Sequence, residues 1–160
     1  MSIGGHHSAA ALKDEWLTPP GIIAALGPFD LEPCSPILRP WDTAYSHYTI
    51  EDNGLAKPWF GRVWCNPPYG LHAAQWLERC AAHGNAIALV FARTETRMFF
   101  DHVWPKAYGI LFIEGRLHFH HVNGQRAAAN SGGPSVLIAY DPENADRLNR
   151  CGIQGRFVEL

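Results

Sequence analysis

Residues 61–92 read GRVWCNPPYGLHAAQWLERCAAHGNAIALVFA. Three units follow one another here. Gly61–Cys65 is a short apolar run of strand type, closed by the Asn66-Pro67-Pro68 turn. Residues 72–83 place Ala73, Trp76, Leu77 and Cys80 on one helical face, and Gly84-Asn85 stops the helix. Residues 86–92 are continuously apolar, as expected of a central strand covered on both faces. Strand, helix and apolar strand begin an α/β alternation.

The alternation extends both ways. Upstream, Thr18-Pro19-Pro20 reads as a helix start with Thr18 as N-cap and Pro at N1, and Gly27-Pro28 ends that helix after Leu26. Phe29–Pro33 alternates apolar and acidic residues, a short strand. Residues 34–58 are rich in Pro, Asn and Gly, and so long an irregular stretch is usually functional. Downstream, Thr94 or Thr96 caps a helix running to Trp104. Gly109–Glu114 is a strand that Arg116–His121 extends, and residues 123–134 form a polar loop. Val136–Tyr140 is the last strand, with a helix around residues 145–148. The expectation is one α/β domain over residues 1–160, with a mostly parallel sheet flanked by helices and a flexible lead-in at 1–13. Functional loops of such sheets gather at the carboxyl ends of the strands. Glu32-Pro33 and Asn66–Tyr69 both fall there.

Composition excludes several classes. No window approaches about 18 uninterrupted apolar residues, and the first residues lack a charged-then-apolar leader pattern. Cys34, Cys65, Cys80 and Cys151 form no CxxC pair, so free thiols in a reducing cytoplasm are expected. The net charge of −2 argues against gripping nucleic acid by bulk charge. The charge is uneven, however. Residues 1–61 carry three basic and seven acidic side chains, residues 62–126 seven and four. Any polyanion-facing part is therefore the middle. Arg93, Thr94, Thr96 and Arg97 are its candidates for phosphate or base-edge contact, with helix capping and surface charge as the competing reading.

Asn66-Pro67-Pro68-Tyr69 is a stiff device for a strand exit. Two prolines remove two donors, fix two φ angles, and hold an amide side chain and a carbonyl beside an aromatic ring. Asn-Pro-Pro-Tyr after an apolar strand resembles motif IV of the amino-methyltransferases, which methylate adenine N6 or cytosine N4 from S-adenosylmethionine. The ordered set DEWLTPP, LGPFDLEPC, EDNGL, RVWCNPPYG, ARTETRMF, GRLHF and GPSVLIAY resembles the small phage-type DNA N6-adenine methyltransferases from about Asp14 to Tyr140.

The resemblance implies a reduced Rossmann-like methyltransferase fold, DNA as partner, S-adenosylmethionine as cofactor with S-adenosylhomocysteine as product, and no metal. It implies a cytoplasmic bacterial protein, or a phage protein in the host cell. It assigns Asn66, Pro67, Pro68 and Tyr69 to catalysis. Asn66 Oδ1 and the Pro67 carbonyl would accept the two N6 protons, and Tyr69 would stack on a base taken out of the duplex. It assigns Trp16, Thr18, Pro19, Glu32, Pro33, Cys34, Asp52, Gly54 and Asn66 to the cofactor.

Two departures stand out. Glu32 is one methylene longer than the family's usual Asp, and the Gly-rich loop of larger methyltransferases is missing. No separate target-recognition domain fits the length, which leaves the recognised sequence open, with a homodimer on DNA as one arrangement. Rival readings are the same chemistry on cytosine N4, RNA or a protein amide, a domain that binds DNA or cofactor without turnover, and, more distantly, a metal-dependent nuclease on His118, His120 and His121. Cys65, inside the strand, reads as core rather than nucleophile.

Overall fold

The computed structural model describes residues 16–68, 70 and 72–160. The 1–13 lead-in and Tyr69 lie outside the described residues. The chain runs α1 (Pro20–Leu26), β1 (Leu31–Glu32), β2 (Ser46–His47), β3 (Val63–Cys65), α2 (Ala73–His83), β4 (Ala86–Phe91), α3 (Arg97–His102), β5 (Gly109–Ile113), β6 (Ser135–Ala139), α4 (Pro142–Arg150) and β7 (Gly155–Glu159).

All seven strands form one sheet in the order β2-β1-β3-β4-β6-β5-β7. The β2, β1, β3 and β4 neighbours are parallel. The β4–β6, β6–β5 and β5–β7 neighbours are antiparallel, and these are the longer ladders. The sheet is therefore mixed rather than mostly parallel. The reason is β6, which inserts antiparallel between β4 and β5. Its sequence SVLIA is apolar throughout, and a strand buried on both faces shows no sign of its direction.

The core lies on both faces of the sheet. One layer joins Val63, Cys65, Ala88, Val90 and Ile138 to Leu77 and Cys80 of α2 and Phe99 of α3. The other joins Trp64, Ile87, Leu89 and Leu137 to Ile22 and Leu26 of α1 and Leu148 of α4. The two-residue period of β3 thus sends Trp64 to one layer and its neighbours to the other. Among the described residues no helix is long and apolar enough to cross a membrane.

Four local readings change. Thr18 is not the cap of α1; Pro19 holds that position without a side-chain cap, and the Thr18 hydroxyl is used elsewhere. Thr96 is the N-cap residue of α3, but its hydroxyl donates to the Arg93 carbonyl at 2.6 Å. Residues 116–121 do not continue β5. They turn away and bridge to Leu17 on one side and Arg126 on the other. Finally, β7 was not expected, because its GRFVE sequence is an exposed edge with only Phe157 partly buried.

Candidate active site

The order of the strands reverses at β1. From β1 the chain goes to β2 on one side and then to β3 on the other. In open α/β sheets the crevice outside the carboxyl ends at such a switch point is where ligands bind. Glu32 ends β1 and Cys65-Asn66 ends β3, so both fall at this crevice.

Asn66 is held from two sides. Its Nδ2 donates to Thr18 Oγ1 at 3.2 Å. The same oxygen accepts the indole N–H of Trp64 at 3.1 Å. Trp64 is fully buried, and a buried indole N–H needs an acceptor. Thr18, 1 % exposed, supplies it and fixes the amide as well. The backbone N–H of Asn66 faces the Cys34 sulfur. Among the described residues no donor reaches Asn66 Oδ1 or the carbonyl of buried Pro67. The turn therefore presents two rigid acceptors at the mouth of the crevice.

Glu32 is buried at 3 % exposure, among the polar side chains of Thr43, Ser35 and His47 and within reach of the Arg39 charge. The Thr43 hydroxyl donates a short hydrogen bond to its Oε2. His47 Nε2 lies 3.9 Å from the same oxygen, too far for a hydrogen bond. That nitrogen lies 3.4 Å from both the backbone N–H and the hydroxyl of Thr43. Burial, with Arg39 as a second cause, also lowers the His47 pKa. Burial raises the Glu32 carboxyl from 4.5 to about 7, opposed by the Thr43 and Ser35 hydrogen bonds and by Arg39. Burial therefore disfavours charge on both members of the pair.

Pro33 and Gly54 are in contact. A Cβ on Gly54 would lie 1.9 Å from the Pro33 carbonyl oxygen, so only glycine fits. The Gly54 carbonyl accepts the Trp59 indole N–H at 2.8 Å. The loop thereby brings the Asp52-Asn53-Gly54 turn against the Glu32-Pro33-Cys34 turn. Asp52 is exposed, and its Oδ2 accepts the Thr49 N–H at 2.8 Å. Cys34, Cys65 and Cys80 are a core feature. Cys34 and Cys65 have sulfurs 3.8 Å apart, and burial pushes both thiols up. Cys65, fully buried, packs in the core as read from the sequence.

At the carboxyl end of β4 lies a small cavity of about 160 Å³, walled by Trp16, Phe91, Phe119, Ala127, Ala129, Asn130 and Ser131. Arg93 is exposed and stacks over Phe91 at 5.6 Å. Arg97 is exposed and pairs with Asp101 at 3.2 Å, while Thr94 accepts the Trp104 indole N–H through its carbonyl. Among the described residues no three His, Cys, Asp or Glu side chains gather as metal ligands do. His120 Nδ1 instead donates to the Gly124 carbonyl at 3.1 Å, and His121 packs 4.9 Å from the Trp16 ring.

Sequence reasoning missed Trp64, Thr43, His47, Phe91 and Phe119. Trp64 carried one usable signal: an indole in a buried strand must find an acceptor nearby. Thr43 and His47 carried none, because only the folded 34–58 loop turns them onto Glu32.

Residues 5–149 match the family model described as DNA N-6-adenine-methyltransferase (Dam). No curated protein and no solved structure matches the chain.

Proposed function

The chain belongs to the DNA N-6-adenine-methyltransferase family, and from that premise we propose that it moves a methyl group from S-adenosylmethionine directly to N6 of an adenine extruded from DNA, on a reduced Rossmann-like fold. The observation that carries this reading is the pair of acceptors at Asn66 Oδ1 and the Pro67 carbonyl, which no donor reaches among the described residues. The adenine N6 lone pair is delocalised into the ring and is a poor nucleophile. Two acceptors, each taking one N6 proton, favour a pyramidal nitrogen and aim its lone pair outward. The amide can serve only in one orientation. Thr18 fixes that orientation by taking Nδ2, and Trp64 fixes Thr18. Pro67-Pro68 hold the carbonyl, since misplacement by about 1 Å costs on the order of a hundredfold in rate.

When bound, S-adenosylmethionine supplies an electrophilic methyl on a sulfonium. The crevice at the switch point fits that group chemically. Asp52 is exposed, and among the described residues its Oδ1 has no hydrogen bond, which suits hydroxyl or ammonium donors; Glu32 offers a buried carboxyl at the end of β1. Pro19, Pro33, Cys34 and Gly54 would line this side. Gly54 does so for packing reasons as much as for access. The cavity of Phe91 and Phe119, at the end of the strand that neighbours β3, is largely apolar and aromatic and would suit a base. Trp16 walls that cavity and is assigned to the base side, with Tyr69 as the stacking ring of the motif. Arg93 lies over Phe91 of the cavity wall, and Arg93, Thr94, Thr96 and Arg97 after β4 would take phosphates.

The test is mass spectrometry of nucleosides from unmethylated DNA incubated with the protein and S-adenosylmethionine, with Asn66→Ala in parallel. N6-methyladenine made by wild type and lost in the variant is expected. Another methylated base, or none from folded and cofactor-loaded protein, sinks the reading.

A further inference from the structure

Resting on that reading, we infer that residues 119–127 form a β-ribbon that reads DNA sequence, and that Gln125 contacts a base-pair edge within about three steps of the methylated adenine.

The ribbon is defined by its hydrogen bonds. The N–H of His121 donates to the Gln125 carbonyl, and that of Ala127 to the Phe119 carbonyl, both at 2.8 Å. His120 and Arg126 are thus directly opposed, and their side chains share one face. Phe119, His121, Gln125 and Ala127 share the other. Leu17 adds a third strand through two bonds with His120, at 2.8 and 3.1 Å. That pairing sets Trp16 and Thr18 on the face of Phe119 and His121, which the Trp16–His121 ring contact at 4.9 Å supports.

One face of this three-stranded patch therefore carries Thr18, Trp16, Phe119, Ala127 and Gln125. Thr18 holds Asn66, the next three wall the cavity proposed for the base, and Gln125 lies past them. Two inter-strand spacings of about 4.8 Å separate the Thr18 strand from the Gln125 strand, roughly three base-pair steps of 3.4 Å.

The ribbon is also built to stay in place. Gly124 turns it with φ 90°, and a Cβ there would meet Pro40 at 3.1 Å. His120 meets Trp41 edge-on at 5.2 Å. Asn123 Oδ1 accepts the Gln125 N–H at 2.9 Å and so shapes the turn.

Its chemistry suits DNA. Residues 115–131 hold two Arg and three His and no acid. Gln125 and Arg126 are exposed, and among the described residues no side-chain hydrogen bond engages either. A two-stranded ribbon fits the major groove, where Gln pairs with adenine N6 and N7 and Arg with guanine O6 and N7. This would give the methyltransferase domain its own means of choosing a site.

The experiment uses the full chain, S-adenosylmethionine and duplex pools randomised around the adenines, with methylated adenines located by single-molecule sequencing. Wild type should prefer a base at one or more positions within three of the adenine. Gln125→Ala should flatten that preference by about 5- to 150-fold. Arg116→Ala should weaken binding evenly across sequences. No context preference in wild type overturns the inference, as does a preference unchanged in Gln125→Ala. If folded protein methylates no adenine, the functional reading fails, and retention of bound DNA from the same pool decides the ribbon separately. A motif enriched by wild type and relaxed by Gln125→Ala supports it, whereas no enriched motif overturns it. Thermal melting checks that each variant is folded.

Discussion

Arg62 and Asn66 stand at opposite ends of the same three-residue strand, and their polar atoms are treated in opposite ways. At the amino end, Arg62 is tied to the protein on several sides. Nε donates to Asn144 Oδ1 at 2.7 Å, and Nη1 donates to the Pro28 carbonyl at 3.0 Å and to the Leu26 carbonyl. Its guanidinium lies 4.2 Å over the Phe29 ring, and its backbone N–H bonds Asp30 at 2.7 Å. Burial lowers its pKa to about 10, yet it stays charged at any working pH. Asn144 continues the network to Asn85 and Asp141. This end fastens α1, β1, β3 and α4 together. At the carboxyl end, Thr18 and Trp64 are saturated so that Asn66 Oδ1 and the Pro67 carbonyl can remain open. One end spends its hydrogen bonds on the fold, and the other keeps two acceptors for a ligand.

The contrast can be broken most directly at Arg62. Arg62→Ala strips partners from Asn144 and two carbonyls, so unfolding free energy should fall by about 3–5 kcal/mol in denaturant titration. Methyl transfer per folded molecule should change little. Asn66→Ala should do the reverse, lowering kcat by about 10²- to 10³-fold while the melting temperature barely moves. Equal loss of stability in both variants would show that the two ends do the same work.

Glu32 sharpens the comparison, because it is the buried charge-bearing group on the ligand side. Its folded pKa of about 7 is raised above the ordinary 4.5. Its contribution to stability is therefore full below pH 4.5 and is lost as pH rises to about 7. Wild type should lose on the order of 3 kcal/mol relative to Glu32→Gln across that window. Parallel pH–stability curves for the two proteins would show that the carboxyl is not held neutral. The smallest effect is expected at Thr18. Thr18→Val leaves the Trp64 indole without an acceptor and frees the Asn66 amide, costing about 1–3 kcal/mol of stability. Transfer should slow by less than in Asn66→Ala, and Thr18→Ser should restore both.

Much of the fold was legible. Helices α2 and α4, strand β4 and the strand before Asn66 announce themselves through apolar periodicity and through Gly and Pro at their ends. Strand direction was not. The run Val136–Ala139 is apolar in either orientation, and only the ladder with β4 decides it. Thr18 illustrates a different failure. Thr-Pro-Pro is a sound helix start, and α1 does begin there, but tertiary contact claims the hydroxyl for Trp64. Residues 116–127 read as a strand extension followed by a loop, because bridges to Leu17, a hundred residues away, leave no local pattern.

The sequence alone determined the α/β alternation, the family and the rigid Asn66-Pro67-Pro68 turn, since periodicity and proline restriction are local properties of the chain. Tertiary structure decided the rest. It chose the antiparallel place of β6, the partner that orients Asn66, the burial of Glu32 and the side of the ribbon on which Gln125 stands. Each of these depends on which distant group meets a buried donor, a carboxyl or a strand edge, and only the folded chain brings those groups together.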